Sequence, residues 1–114
     1  MILIVEPDLE YRLFLEWVLK AAGYDFAYID KGQRPELIVA DMSASYNMEK
    51  EIEDLARAAC FKCIPLVLMS DDKGARVHSR LLGAATFIIK DHETRINLIS
   101  EVNRLLRRPT SHPQ

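Results

Sequence analysis

Residues 35–41, Pro35-Glu36-Leu37-Ile38-Val39-Ala40-Asp41, decide the fold: an apolar run with strand character stops on a single carboxylate. Four apolar residues in a row, two of them β-branched, fit a strand buried on both faces, as in a parallel sheet covered by helices. The same punctuation recurs along the chain. Ile2 to Val5 stops on Glu6, with Asp8 beyond it; IPLVLMS (64–70) stops on the Ser70 hydroxyl; ATFIIK (85–90) stops on the Lys90 ammonium. If these runs are parallel strands, their carboxyl ends share one rim, and open α/β sheets build their sites there. Acids, a hydroxyl and an amine on one rim are the groups that phosphoryl transfer employs.

Helical patterns fill the gaps. Asp8 can cap a helix in which Leu13, Phe14, Trp17, Val18 and Ala21 recur at helical spacing as far as Gly23, a C-terminal stop. A second strand falls within Tyr24 to Ile29 and a third within Leu37 to Ala40; SASYN (43–47) reads as loop. Met48, Ile52, Leu55, Ala56 and Ala59 give the next helix its apolar stripe. After the strand Leu66 to Met69, Asp71 or Asp72 can cap a helix carrying Ala75, Val77, Leu81 and Leu82 and ending at Gly83. Thr86 to Ile89 is the fifth strand, and Ile96, Ile99, Val102, Leu105 and Leu106 make the last helix amphipathic. The chain thus reads as one domain over 1–107, with 108–114 a flexible tail holding two prolines and no apolar anchor.

Strands alternating with helices indicate a doubly wound α/β fold with a parallel sheet. One connection departs from that plan. Between Ile29 and Leu37 lie only the seven residues DKGQRPE, whereas a parallel crossover normally takes a dozen or more and includes a helix. Seven extended residues span at most about 25 Å, and the return to a parallel start two strands away needs about 19 Å. The second helix is therefore missing or reduced to a turn. Its loss strips cover from one sheet face near the first and third strands, and an apolar face of that kind marks an interaction surface unless the chain seals it itself.

Composition bounds the function. The chain has 114 residues, 49% hydrophobic and 28% charged, with a formal net charge of −2. Such a chain is a single globular domain, with no field to collect nucleic acid or anionic lipid. No apolar run nears the roughly 20 residues that cross a bilayer, and MILIVE has neither the basic start nor the cleavage site of a secretory signal, so the expected location is the cytoplasm. Cys60 and Cys63 form a C-x-x-C pair, but between a helix end and a strand start rather than at a helix N-terminus. His78, His92 and His112 show no companion spacing for zinc. Buried or idle thiols are the expectation.

From ILIVEPD to the last helix the chain resembles the receiver domain of bacterial response regulators, with GAATFIIKD (83–91) similar to that family's fifth-strand segment. The resemblance implies a flavodoxin-like five-stranded parallel sheet of order 2-1-3-4-5 and a role in two-component phosphorelay signalling with Mg²⁺. It implies Asp41 as phosphoacceptor; Glu6, Asp41 and the Ser43 carbonyl as metal ligands; Lys90 and Ser70 as the groups that meet the phosphate; and Ser70 with Phe87 as the switch pair. The implied partners are a histidine kinase or phosphotransfer protein and a downstream protein, with a homodimer as a further option, and no independent enzyme activity is expected. The chemistry of these roles is general. A carboxylate can form an acyl phosphate when a cation neutralises the incoming phosphate, and lysine and serine contacts strengthen as charge arrives.

Each residue also has a plainer role: Asp41 and Ser70 can cap loop and helix, Lys90 can be a solvated strand-end charge, and an aromatic within a strand is usually core. Three positions depart from the family pattern. Pro7 stands where a second acidic ligand is usual, so Mg²⁺ binding should be weak; Asp8 comes one residue late. Asp71 adds negative charge after Ser70, and Asp91 follows Lys90 where proline is usual, which disfavours a cis peptide there. Two readings follow: a phosphorylatable receiver that switches a protein-interaction surface, or a pseudo-receiver that binds a partner without phosphorylation. An independent small-molecule enzyme ranks below both, since the chain has neither a phosphate-cradling Gly-rich loop nor a nucleophile paired with histidine.

Overall fold

The chain lays down strands β1 (Ile2–Val5), β2 (Phe26–Ala27), β3 (Leu37–Asp41), β4 (Leu66–Ser70) and β5 (Thr86–Ile89). Helices α1 (Leu9–Ala21), α2 (Met48–Lys62), α3 (Ala75–Leu81) and α4 (Thr94–Leu105) alternate with them. This computed structural model describes residues 1–28, 32–42 and 48–107. The five strands form one sheet of order β2-β1-β3-β4-β5, and every neighbouring pair is parallel. Both the strand order and the all-parallel pairing are those expected.

Pleating sends alternate residues to opposite faces, and each face carries its own core. Ile2, Ile4, Leu37, Val39, Val67, Met69 and Ile88 pack under α1 and α4, against Leu15, Val18, Leu19, Leu98 and Val102. Ile38, Ala40, Leu66, Leu68 and Phe87 face the other way, against Ile52, Ala56 and Ala59 of α2. Full burial of one such Leu, Val or Ile stabilises by about 1.5 to 3 kcal/mol, so these two layers dominate the fold's stability.

Residues 32–36 between β2 and β3 contain no helix, in line with the short DKGQRPE link, although residues 29–31 lie outside those described. Among the described residues the chain has four helices. Leu3 and Val5, on the α2 side of β1, are only partly buried, whereas Ile2 and Ile4 on the other side are sealed. That difference is the one a missing helix would leave.

Helix ends follow the local chemistry in three of four cases. Asp8 caps α1, its side chain accepting from the Glu10 N–H at 3.1 Å, and Gly23 and Gly83 end α1 and α3 with φ of +89° and +82°, a region that glycine enters without a Cβ clash. At α3 the expectation fails. Gly74 occupies the N-cap, and the Asp72 carboxylate instead accepts from the Gly74 N–H at 2.9 Å, closing a turn just ahead of the helix.

Three apolar stripes are also corrected. In α1 the inward face runs through Tyr11, Phe14, Leu15, Val18 and Leu19, while Leu13 and Trp17 are exposed. In α3, Val77 and Leu81 face solvent and Ser79 is buried, its hydroxyl bonded to the Arg76 carbonyl. In α4, Ile96 is exposed and Leu98 is fully buried in its place. Cys60 and Cys63 are free and exposed, so they are not buried thiols. The tail 108–114 lies outside the described residues.

Candidate functional site

Strand parity assembles the site. Glu6 follows Val5, and Asp41 follows Ala40, its partner in the β1–β3 register; both Val5 and Ala40 face α2, so Glu6 and Asp41 turn toward the α1 side. Lys90 follows Ile89, also on the α2 side, and turns the same way. The result is one cluster: Lys90 Nζ lies 2.7 Å from Glu6 Oε1 and 3.0 Å from Asp41 Oδ1. The three side chains are 13%, 1% and 6% exposed, so these ion pairs are shielded from solvent. The other Glu6 oxygen, Oε2, accepts from the Asp8 N–H at 3.1 Å.

Burial pushes the Glu6 carboxyl above its ordinary pKa, and the hydrogen bonds from Lys90 and the Asp8 N–H offset that only in part. For Lys90, burial favours the neutral amine, but hydrogen bonds to Glu6 and Asp41 together with their charges outweigh it and hold the ammonium above the usual lysine value. The cluster therefore carries an ammonium clamped between two acids.

Ser70 at the rim and Phe87 further down β5 both turn toward the opposite face. Ser70 is buried at the end of β4, its hydroxyl accepting from the Asp72 N–H at 3.0 Å and its carbonyl accepting from the Lys90 N–H at 2.8 Å. A hydroxyl that accepts one bond still has its proton to donate. Phe87 is buried in the α2-side core, with the Arg76 guanidinium 5.1 Å from its ring centroid. Asp71 and Pro7 are exposed, and the Asp8 side chain serves as helix cap. Ser43 lies outside the described residues.

Two members of the site escaped the sequence reading. Tyr11, in the first turn of α1, places its ring under Lys90, with Nζ 4.1 Å from the ring centroid. Thr94, the buried first residue of α4, closes the turn after Lys90 by accepting from the Asp91 N–H at 2.8 Å. The sequence offered only a placement: Tyr11 begins the inward stripe 11-14-15-18, which says nothing of Lys90.

The donor set suits a hard cation. Mg²⁺ is commonly held by one or two carboxylates plus waters, and Glu6 and Asp41 supply two carboxylates joined through one ammonium. Among the described residues no group of three or more His, Cys, Asp or Glu side chains gathers, and this pair is what they offer such a site.

No protein-family model matches the chain, and no curated protein matches it. Solved structures do. A signal receiver domain of a signal transduction histidine kinase from Syntrophus aciditrophicus is 26% identical, with 99% of this chain and 94% of that one covered and a TM-score of 0.75. A response regulator receiver protein from Burkholderia phymatum is 16% identical over 97% and 98% of the two chains, with a TM-score of 0.80. The response regulator TrrA from Thermotoga maritima, whose structure is a complex with Mg²⁺-BeF, is 18% identical over 91% and 96%, with a TM-score of 0.75. With its strand order 2-1-3-4-5 and nearly complete overlap with these structures, this chain has the receiver-domain fold of two-component response regulators.

Proposed function

We propose that this chain is a phosphorylatable receiver in a two-component relay, with Asp41 as acceptor. The observation that carries this reading is the Lys90 ammonium, 3.0 Å from the Asp41 carboxylate in a shielded pocket at the carboxyl rim of the sheet. An Asp41 oxygen attacks phosphorus while the bond to the donor's histidine nitrogen breaks, and that nitrogen leaves with the electron pair; the product is an acyl phosphate. Glu6 and Asp41 would hold Mg²⁺, whose charge offsets that of the incoming phosphate. Lys90 then moves its charge from the carboxylates toward the phosphoryl oxygens, and the Ser70 hydroxyl, which turns to the α2 side, swings across the rim to donate the proton that its bond from Asp72 leaves free. A histidine kinase or phosphotransfer protein is the proposed donor, and the rearranged rim is read by a downstream protein or a second copy.

One observation favours the pseudo-receiver reading: both Glu6 oxygens are engaged within the protein, by Lys90 and by the Asp8 N–H, and Pro7 adds no ligand. Incubation with Mg²⁺ and acetyl phosphate, followed by intact-mass measurement, separates the two. The receiver reading requires one added phosphoryl group that Asp41→Asn abolishes. An unmodified wild-type mass leaves the binding-module reading.

A further inference from the structure

Lys90 is held from below as well as in front. Its ammonium contacts Glu6 and Asp41 on one side, and the face of the Tyr11 ring lies 4.1 Å away on the other. Tyr11 is itself fixed: it is half-buried and packs at a tilt against Phe14, with ring centroids 5.4 Å apart. Thr94 also closes the turn that follows Lys90, accepting from the Asp91 N–H at 2.8 Å, with its hydroxyl 2.8 Å from the Asp91 carbonyl and 3.2 Å from that of Ile89. One threonine thus pins the turn that follows Lys90, while the Tyr11 ring lies beneath its ammonium.

We propose that Tyr11 is a positioning residue for Lys90, its ring face restricting the ammonium to the acceptor carboxylate and guiding it to the incoming phosphoryl group. The physical case is one of entropy and electrostatics. A lysine side chain has four rotatable bonds whose freedom is lost when its ammonium is held, and a flat, electron-rich face beneath the ammonium favours a single arc of motion. When phosphate arrives, the ammonium can slide along the ring toward it without leaving a cation-stabilising surface. The proposal rests on Asp41 being the acceptor, and its test is built to fail separately from that reading.

The test compares Tyr11→Phe, which keeps the ring, with Tyr11→Leu, which keeps apolar bulk and removes the ring face. Two readouts are taken on each. The first is the NMR shift of the Lys90 ε-methylene protons, which a ring face 4 Å away moves upfield, together with the relaxation of that methylene. The second is the rate at which acetyl phosphate with Mg²⁺ phosphorylates the protein. The expected result is a Phe variant within about twofold of wild type in rate and with the upfield shift kept, and a Leu variant slower by roughly tenfold with the shift lost and the methylene more mobile. If Tyr11→Leu unfolds the protein, fluorinated phenylalanines at position 11, which keep shape and drain the ring face of charge, replace it; a stepwise fall in rate supports the proposal and a flat series overturns it. A Leu variant at the wild-type rate overturns it too, as does a wild-type Lys90 without the ring shift. A wild type that shows the shift and takes no phosphate sinks the receiver reading instead. The positioning role is then decided by the Lys90 methylene, and unchanged mobility in Tyr11→Leu overturns it.

Discussion

Pro7 is exposed between a buried Glu6 and an Asp8 whose carboxylate is committed to capping α1, so no acidic side chain stands at the second ligand position. Pro7→Asp adds an oxygen donor for a hard cation and should raise Mg²⁺ affinity at least about tenfold, read by isothermal titration calorimetry. An unchanged affinity in a folded variant would place position 7 away from the metal. Lys90 carries the opposite risk. Removing its ammonium leaves two shielded carboxylates facing each other, and Lys90→Met should destabilise the fold by about 3 kcal/mol in urea titrations, with partial recovery on adding Glu6→Gln. Equal stability of wild type and Lys90→Met would show that the acids are relieved by water. At this scale the rim residues Glu6, Asp41, Ser70 and Lys90 were legible in the sequence because each ends an apolar run. Tyr11 was not, because its role depends on a lysine 79 positions later in the chain meeting its ring.

Helices show where periodicity stops deciding. Helix α1 is apolar at Leu9, Tyr11, Leu13, Phe14, Leu15, Trp17, Val18, Leu19 and Ala21, so two overlapping stripes fit the same spacing. The sequence reading chose Leu13, Phe14, Trp17, Val18 and Ala21; packing kept Phe14 and Val18, added Tyr11, Leu15 and Leu19, and left Leu13 and Trp17 in solvent. Helix α2 was read correctly at Ile52, Leu55, Ala56 and Ala59, because charged residues fill most of the positions between them, while the Met48 side chain lies outside those described. In α4 the outcome can be measured. Leu98→Ala should cost about 3 kcal/mol, since it opens a cavity beneath a fully buried side chain, whereas Ile96→Ala should stay within about 0.5 kcal/mol. Denaturant melts of the two variants check it, and a larger loss at Ile96 would mean that α4 packs through a different face.

Across the whole molecule, stability should grade from the sheet's centre to its β2 edge. Strands β3 and β4 are buried at every residue, while β2 is two half-buried residues with a single neighbour. Amide hydrogen exchange by NMR should therefore find β2 exchanging faster than β3 and β4 by roughly a hundredfold or more, the edge opening locally and the centre only with global unfolding. Equal protection throughout would mean that the shortened β2–β3 link seals that side. The strand runs, their stopping residues and the missing second helix belong to the sequence alone. Each depends on neighbours along the chain or on how far seven residues can reach. Which helix face turns inward, and which rim residues meet, belongs to the tertiary structure. Strand pairing and parity bring Glu6 and Lys90, 84 positions apart, to 2.7 Å over the Tyr11 ring while turning Ser70 and Phe87 to the other face, a choice that no local pattern contains.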